Sequence, residues 1–273
     1  MRKPVLLALI LALSAWGAAQ RLQPVTEHLV KPVFAASAPG DSERLYVAGL
    51  DGFIYIVELP SGAVPSEPFL SLSGRVTALK GEQGFYAFAF HPDFAANGRL
   101  FVSYTEAGSG DVVVQEFHAP SPERADPEPR RELFRVEVSE PFHHGGALAF
   151  GPDGMLYASF GDGIFSVSLL RETRVAQDLS SLRGKLVRVD VDAPAEAPYA
   201  VPSDNPFVGT AGARPELYAY GFRNPWKLAF DPDTGAPLVA DVGDDAWEEV
   251  NAVVAGGNYG WPAMEGPDCF RSY

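Results

Sequence analysis

Apolar residues along this chain fall in short runs that are separated by turns rich in glycine, proline and aspartate. Residues 44–48 and 53–59 are two such runs, joined by Gly49-Leu50-Asp51-Gly52. An Asp-Gly turn between two β-rich runs is a strong hairpin signal. No long segment repeats its apolar residues at the period of an amphipathic helix. The pattern therefore predicts an all-β protein.

A strand-turn-strand unit occurs in several copies, three of which contain the motif Phe-x-Pro-Asp. These turns begin at Phe90, Phe150 and Phe230. Further apolar runs lie between them, at residues 112–117, 133–138 and 186–190. Repeated units of short strands with Pro, Asp and Gly in the turns are typical of a β-propeller, and less so of a β-sandwich. At roughly 40 to 50 residues a blade, residues 20–273 accommodate about five blades in one domain.

The N-terminal residues have the composition of a targeting segment. Two basic residues, Arg2 and Lys3, precede an apolar run over residues 4–13, and small residues follow that run. Because the run is too short to span a bilayer, it predicts a signal peptide over residues 1–19 rather than a membrane anchor. We therefore expect an exported mature chain that begins near Gln20, lies in the periplasm or outside the cell, and inserts into no membrane.

The formal net charge of the chain is −14. Nucleic acids and anionic membranes are poor partners for so acidic a protein, whereas neutral small molecules and cations suit it. The same charge would also keep the protein soluble whatever it binds. Cys269 is the only cysteine in the sequence, and an odd cysteine in an exported chain indicates a free thiol, an intermolecular bridge or a missing partner.

Four polar loop clusters stand at the ends of predicted strands. In a propeller such loops converge around the central axis, so they predict one pocket that contains a histidine, an arginine and acidic oxygens. The clusters are Gly81-Glu82-Gln83-Gly84, His143-His144-Gly145-Gly146, Tyr220-Gly221-Phe222-Arg223-Asn224-Pro225, and the acidic residues 241–249 with the glycine-rich residues 256–262.

Each cluster also has an ordinary interpretation when it is taken alone. The histidine pair could be solvated surface, Glu82 a turn acid, and Arg223 one half of a structural ion pair. The acidic residues 241–249 offer hard oxygen ligands for calcium, but they lack the EF-hand spacing and could be a solvated turn. The three remaining histidines are interpreted as structural or surface residues: His28, His91 and His118.

Taken together, these motifs resemble the glucose/sorbosone dehydrogenase family. That family comprises soluble, exported aldose sugar dehydrogenases that use pyrroloquinoline quinone (PQQ) on a six-bladed propeller. The resemblance runs from about Leu29 to Cys269. It is carried by five motifs in the family's order: Gly81-Glu82-Gln83-Gly84 with the Phe88–Phe94 turn, the His143–Gly154 stretch, Gln177-Asp178-Leu179 with Gly184-Lys185, Tyr220–Pro225, and Gly256–Pro262.

The resemblance implies a role for individual residues. His143 matches the general base, and His144 stands where the family usually has an amide. Glu82 and Asn224 match positions that contact the quinone, and Arg223 matches the arginine beside its reactive carbonyl. The resemblance also implies two calcium ions: one that clamps PQQ through the backbone carbonyls of Gly243 and Asp244, and a structural one near Glu249 and Tyr259.

The implied reaction is oxidation of an aldose at C1 to the lactone, with His143 taking the proton and an external acceptor taking the electrons. A homodimer is a further possibility. The family's chains continue past the Trp261-Pro262 segment into a last blade that supplies basic residues to PQQ, whereas this sequence ends at Tyr273. We therefore expect a propeller that is incomplete at its C-terminal end. The alternative function is a catalytically silent or truncated propeller that acts as a binding module.

Overall fold

The computed structural model describes residues 22–27, 29–138, 140–164, 173–192 and 197–270. Within these ranges the chain forms seventeen β-strands, a four-residue α-helix, α1 (Phe94–Asn97), and a 3-10 helix (Thr173–Gln177). The all-β prediction is confirmed. The predicted signal peptide over residues 1–19 and His28 lie outside the described residues. None of the described helices is long and apolar enough to cross a bilayer.

The first two sheets are four-stranded antiparallel blades, each built from strands that are consecutive in the chain. The Asp-Gly turn predicted from the sequence joins β2 to β3, and Gly52 N–H donates to Gly49 O at 3.1 Å. The strands of the first blade are β1 (Pro32–Ala36), β2 (Arg44–Gly49), β3 (Phe53–Glu58) and β4 (Leu70–Ser71). Those of the second are β5 (Phe85–Phe90), β6 (Arg99–Thr105), β7 (Val112–His118) and β8 (Arg131–Val136).

The third blade is also four-stranded, the fourth sheet has three strands, and a two-stranded hairpin follows it. The third blade contains β9 (Leu148–Phe150), β10 (Leu156–Phe160), β11 (Lys185–Val189) and β12 (Leu217–Tyr220). The fourth contains β13 (Pro225–Phe230), β14 (Pro237–Asp241) and β15 (Glu249–Ala252). The hairpin is β16 (Met264–Glu265) with β17 (Asp268–Cys269), where Cys269 is exposed with a free thiol.

The blade count differs from the sequence-based expectation of about five. The described residues form four blade sheets, arranged as a propeller. The estimate was too high because it assumed a uniform blade length, whereas the third blade extends from Leu148 to Tyr220 with a long excursion between β11 and β12. Spacing along a sequence does not separate an inserted loop from an additional strand pair.

The first strand of each blade lies nearest the propeller axis. Strand β5 packs against β1 and β9, and β9 packs against β13. Across the axis, the ammonium group of Lys227 on β13 donates to Val33 O on β1 at 3.1 Å. The ends of these inner strands define the two faces of the propeller, and the loops that precede β5, β9 and β13 gather at one of them.

The Phe-x-Pro-Asp turns close the opposite face. Phe90, Phe150 and Phe230 at the ends of the inner strands line one cavity of about 680 Å³. Within the first turn, His91 Nδ1 accepts hydrogen bonds from Asp93 N–H at 3.0 Å and from Asn97 Nδ2 at 2.9 Å. His91 is therefore structural, as expected, and the repeated motif belongs to the fold rather than to the predicted pocket.

Candidate active site

His143 lies at the entrance of β9 in a strained backbone conformation. Its φ is +54°, in the left-handed region that non-glycine residues rarely adopt. The neighbouring backbone leaves little space, since a Cβ atom at Gly161 would lie 2.0 Å from His143 O. The His143 N–H donates to Glu82 Oε2 at 2.8 Å, which fixes the strained residue to the second blade. Strain that is stabilised in this way is typical of functional positions.

The imidazole of His143 is oriented by a buried carboxylate. Its Nδ1 lies 2.8 Å from Asp162 Oδ1, and the side chains are 5% and 1% exposed. Because a carboxylate accepts, Nδ1 carries the proton and Nε2 presents its lone pair. Nε2 makes no hydrogen bond to any described residue. The side chain is therefore held as an acceptor at Nε2, the arrangement that a general base needs.

Asp162 itself is fixed by further hydrogen bonds. Oδ2 accepts from the indole Nε1–H of Trp261 at 2.7 Å, and Oδ1 also accepts from Ile164 N–H at 3.0 Å. The backbone N–H of Asp162 donates to Arg223 O at 2.8 Å. Asp162 was not among the predicted site residues. Its signal in the sequence was its position directly after the buried run of β10, in Gly161-Asp162.

Glu82 and Asn224 join the loops of three different blades. Glu82 Oε2, which binds the His143 backbone, also accepts from Asn224 Nδ2 at 3.2 Å. Asn224 Oδ1 accepts in turn from Gly145 N–H at 2.9 Å. The structure therefore brings the predicted residues Glu82, His143 and Asn224 together. Glu82 is not an isolated turn acid, because its carboxylate spans from the second blade to the third and fourth.

Arg223 contributes a buried cation beside this group. Its Nη2 donates to Asp244 Oδ1 at 2.7 Å and its Nη1 donates to Val242 O at 3.2 Å. The ion pair with Asp244 was one interpretation left open by the sequence. However, Nε of Arg223 is buried and has no hydrogen-bond partner among the described residues. Buried donors are nearly always paired, so Nε is a free donor suited to an oxygen atom of a ligand.

Asp241 holds the Arg223-Asn224 backbone in place. Its two carboxylate oxygens accept from Asn224 N–H at 2.7 Å and Arg223 N–H at 3.0 Å. Burial raises the pKa of Asp241 to about 7, although both backbone donors act in the opposite direction. The sequence placed Asp241 in the acidic loop and gave it no separate role. Its position at the end of the central strand β14 explains why it faces the start of β13.

The acidic loop wraps around one carboxylate. Glu265 Oε1 accepts from four successive backbone N–H groups, those of Asp244 (2.7 Å), Asp245 (2.9 Å), Ala246 (3.0 Å) and Trp247 (3.3 Å). Burial alone would raise the pKa of Glu265, but these four donors outweigh it and the pKa is lowered. The loop is therefore an ordered turn around Glu265, although residues 245–248 are exposed to solvent.

Gly243 and Asp244 are the residues whose main-chain oxygens were predicted to hold calcium. No described residue donates a hydrogen bond to either carbonyl oxygen. Gly243 is required by its surroundings, because a Cβ atom there would lie 1.6 Å from Trp247 O. The described residues contain no cluster of three His, Cys, Asp or Glu side chains placed to hold a metal. Calcium binds carbonyl oxygens readily, so an ion here would be held mainly by the main chain.

Glu249 and Tyr259, predicted near a second calcium, line one cavity of about 10 Å³ together with Gly243. Their side-chain oxygens already have partners. Glu249 Oε1 accepts from Gly266 N–H and Oε2 from Asn251 Nδ2. The Tyr259 hydroxyl donates to Ala252 O at 3.1 Å and accepts from Val254 N–H at 2.9 Å. The second calcium site stays a prediction.

His144 lies beneath the site and is 1% exposed. Its Nε2–H donates to Glu140 O at 3.0 Å, so Nδ1 accepts from the Tyr86 hydroxyl at 2.5 Å. Burial lowers the pKa of His144, which keeps the ring neutral as this hydrogen-bond pattern requires. The interpretation of the histidine pair as solvated surface is therefore wrong for both residues, because His143 is 4% exposed.

The family assignment is decided by the match of residues 31–270 to the family model described as Glucose / Sorbosone dehydrogenase. The chain belongs to the glucose/sorbosone dehydrogenase family. The resemblance inferred from the motifs is thereby confirmed. The site described above lies wholly within the matched residues.

Similar proteins in this family carry different names. The HIPL1 protein of Arabidopsis thaliana is 32% identical over 85% of this chain and 41% of its own length. The human Hedgehog-interacting protein is 33% identical over 77% of this chain and 31% of its own length. This chain therefore spans less than half the length of these curated relatives.

Solved structures of sugar dehydrogenases share the fold. The PQQ-bound aldose sugar dehydrogenase of Streptomyces coelicolor matches with a TM-score of 0.72 and 30% identity, over 91% of this chain and 67% of that one. The soluble aldose sugar dehydrogenase of Escherichia coli, in its apo form, matches with a TM-score of 0.74 and 29% identity, over 88% and 65%. These matches confirm the propeller class.

Proposed function

We propose that this protein is a PQQ- and calcium-dependent dehydrogenase that oxidises aldose sugars at C1 to the lactone. The observation that carries the proposal is the buried His143–Asp162 pair, which holds Nε2 of His143 as a free acceptor. A dehydrogenase that acts on a hydroxyl needs such a base, because the O–H proton must leave as the C–H hydride leaves. A propeller that served only for binding would have no need of it.

The residues around His143 fit a planar, oxygen-rich cofactor. Arg223 Nε is a buried donor without a partner in the described part of the chain. Glu82 and Asn224 lie beside it with further hydrogen-bonding atoms. Gly145, Gly146 and Gly161 let the loops of the site pack closely on one another, since a Cβ atom on any of them would lie within 2.6 Å of another protein atom. When bound, PQQ would supply the hydride-accepting chemistry.

Residues of the chain would then carry out the proton transfer and stabilise the charges that develop in the reaction. His143 Nε2 would take the proton of the anomeric hydroxyl, and the Asp162 carboxylate would stabilise the imidazolium that results. Arg223 would offer Nε–H to an oxygen that gains negative charge. The sugar loses a hydride and a proton and becomes the lactone. The two electrons would leave through an external acceptor.

Calcium fits the main-chain oxygens of Gly243 and Asp244. Both residues belong to the turn whose Asp244 side chain pairs with Arg223, so an ion there would border the cofactor site. Glu265 would contribute to calcium binding indirectly, because its carboxylate accepts from four backbone N–H groups and so fixes the turn. We further propose that the protein works after export, in the periplasm or outside the cell, with no nucleic-acid or membrane partner, and that it can pair as a homodimer.

The second candidate function is a catalytically silent binding module. It is favoured by the similarity to the human Hedgehog-interacting protein, whose name describes an interaction and not an oxidation. The two functions differ in whether the site turns over a sugar. Both functions would use the same propeller fold.

Reconstitution separates the two functions. Residues 20–273 are purified, PQQ and calcium are added, and reduction of a dye is followed with glucose and other aldoses. Sugar-dependent reduction that a chelator abolishes, and that His143→Gln lacks while still binding PQQ, supports the dehydrogenase. A folded β-rich protein that binds no quinone and reduces no dye would contradict it and favour the binding module.

A further inference from the structure

One side chain contacts both the partner of the base and the cation of the candidate site. The indole Nε1–H of Trp261 donates to Asp162 Oδ2 at 2.7 Å. The guanidinium carbon of Arg223 lies 5.4 Å from the centre of the Trp261 ring. Trp261 is 4% exposed, so both contacts are shielded from water. Trp261 therefore connects the His143–Asp162 pair to Arg223.

We infer that Trp261 is a positioning residue for this site. It holds Asp162 in the orientation that keeps Nδ1 of His143 protonated and Nε2 free. The inference rests on the proposed function in so far as it concerns turnover. The orientation of His143 itself can be measured without PQQ and without any reaction.

The hydrogen bonds of Asp162 give the reason. Oδ1 accepts from His143 Nδ1 and from Ile164 N–H. Within the described part of the chain, Oδ2 accepts a side-chain donor from Trp261 and from no other residue. Without the indole donor, Oδ2 would be a buried carboxylate oxygen with no partner, which is costly. The carboxylate would then be free to rotate away from Nδ1, and the Nδ1–H form would no longer be the single favoured one.

Trp261 is itself fixed, so it cannot follow a displaced Asp162. Its backbone N–H donates to Gly221 O at 2.9 Å, and its carbonyl oxygen accepts from Gln177 Nε2 at 2.7 Å. Its ring also packs against Phe270, with the ring centres 4.6 Å apart. The donor is therefore presented from a rigid position, which is what a hydrogen bond that selects one tautomer requires.

The test removes the indole donor and reads the tautomer of His143. Trp261→Phe is compared with Tyr157→Phe, in which a side chain of the same 4% exposure loses its hydrogen bond to Asp153 on the opposite face. Each protein is labelled with 15N-histidine and studied by NMR without PQQ, and His143→Gln identifies the His143 signals. We expect the ring nitrogens of His143 to leave the pure Nδ1–H pattern in Trp261→Phe and to keep it in Tyr157→Phe.

Turnover provides the second readout. After reconstitution with PQQ and calcium, we expect Trp261→Phe to lower kcat for glucose roughly 10- to 100-fold, the range seen when outer hydrogen-bond partners are removed. Tyr157→Phe should have the same kcat for glucose as the unaltered chain. In an Asp162→Asn background, Trp261→Phe should have no further effect, because residues that act through one another are not additive.

The outcomes separate this inference from the proposed function. An unchanged His143 tautomer in Trp261→Phe overturns the inference, whatever the turnover. A changed tautomer in a protein whose unaltered chain oxidises no sugar supports the positioning role and contradicts the dehydrogenase. If Trp261→Phe does not fold, hydrogen exchange of the indole protons in the unaltered chain tests the inference instead. The Trp261 indole proton, donated to buried Asp162, must then exchange more slowly than that of Trp247, which donates to an acceptor at the surface, Asp268, and equal rates would overturn the inference.

Discussion

Asp162 Oδ1 lies 2.8 Å from His143 Nδ1, and the pairing of two strands explains why these residues meet. Strands β9 and β10 are antiparallel, with Leu148 opposite Ala158. The residues that precede β9 and those that follow β10 therefore emerge at the same end of the blade. A base and its orienting carboxylate are thus supplied by one hairpin, and contacts from outside the hairpin, by Glu82 and Trp261, fix their orientation.

Replacing Asp162 by Asn should abolish most of the activity. The amide of Asn would donate to Nδ1 of His143, so Nε2 would carry the proton and could not act as the base. We expect kcat for aldose oxidation to fall roughly 100-fold or more, the usual contribution of general base catalysis. Steady-state dye reduction after reconstitution with PQQ and calcium measures the effect. Asp233→Asn, an exposed acid on the opposite face, is the control, and equal rates for the two variants would contradict the role of Asp162.

Arg223 should be needed for its Nε donor as well as for its charge. Arg223→Lys keeps a cation that can still reach Asp244 but removes the planar donor that is unpaired in the protein. A hydrogen bond to a charged group contributes about 1.5–3 kcal/mol, so we expect PQQ to bind roughly 10- to 100-fold more weakly. Titration of the quinone absorption measures this.

Arg135→Lys is the control for Arg223→Lys. Arg135 also pairs with acidic side chains, Glu106 and Glu132, but it does so at the surface of the second blade. Its replacement should leave the affinity for PQQ unchanged. Unchanged affinity in Arg223→Lys as well would mean that Nε does not face the cofactor.

Glu265 should determine the stability of the acidic loop. Glu265→Gln replaces a carboxylate oxygen that accepts four backbone N–H groups by a neutral amide oxygen. We expect the free energy of unfolding to fall by about 1–3 kcal/mol, and calcium to bind more weakly because Gly243 and Asp244 lose their fixed turn. Urea denaturation with chelator and calorimetric calcium titration measure the two effects. Glu43→Gln, an exposed acid of the first blade, should change neither quantity.

The strands, and the loops that meet at the candidate site, could be predicted from the sequence because their signals are local. Alternating apolar runs and an Asp-Gly turn gave β2 and β3, and contiguous motifs gave Glu82, His143, Arg223 and Asn224. Asp241 and Glu265 were missed because their roles depend on partners from other strands. Glu265 binds backbone 18 to 21 residues away, and nothing in Met264-Glu265-Gly266 indicates that contact. The predicted number of blades was too high because no local signal in the sequence distinguishes an insertion within a blade from additional strands.

His144 should make the stability of the protein fall in mild acid. Burial lowers the pKa of His144 below its ordinary value of 6.5, and the neutral ring accepts from Tyr86 while it donates to Glu140 O. As the pH falls below about 6.5, His144 becomes protonated in the unfolded chain but stays neutral in the folded protein. Stability linked to His144 is therefore fully present above pH 6.5 and is lost between that pH and the lower folded-state pKa.

The free energy of unfolding, measured by urea denaturation at pH 7.5 and pH 5.5, tests this expectation. His144→Gln keeps a donor for Glu140 O and an acceptor for Tyr86 but has no group that titrates, so the difference between the two pH values should shrink. His118→Gln, at the half-buried end of β7, removes a histidine outside this network and should leave the difference as it is in the unaltered chain. If His144→Gln retained the full difference, the acid sensitivity would belong to other groups, and the neutral state of His144 would have no part in it.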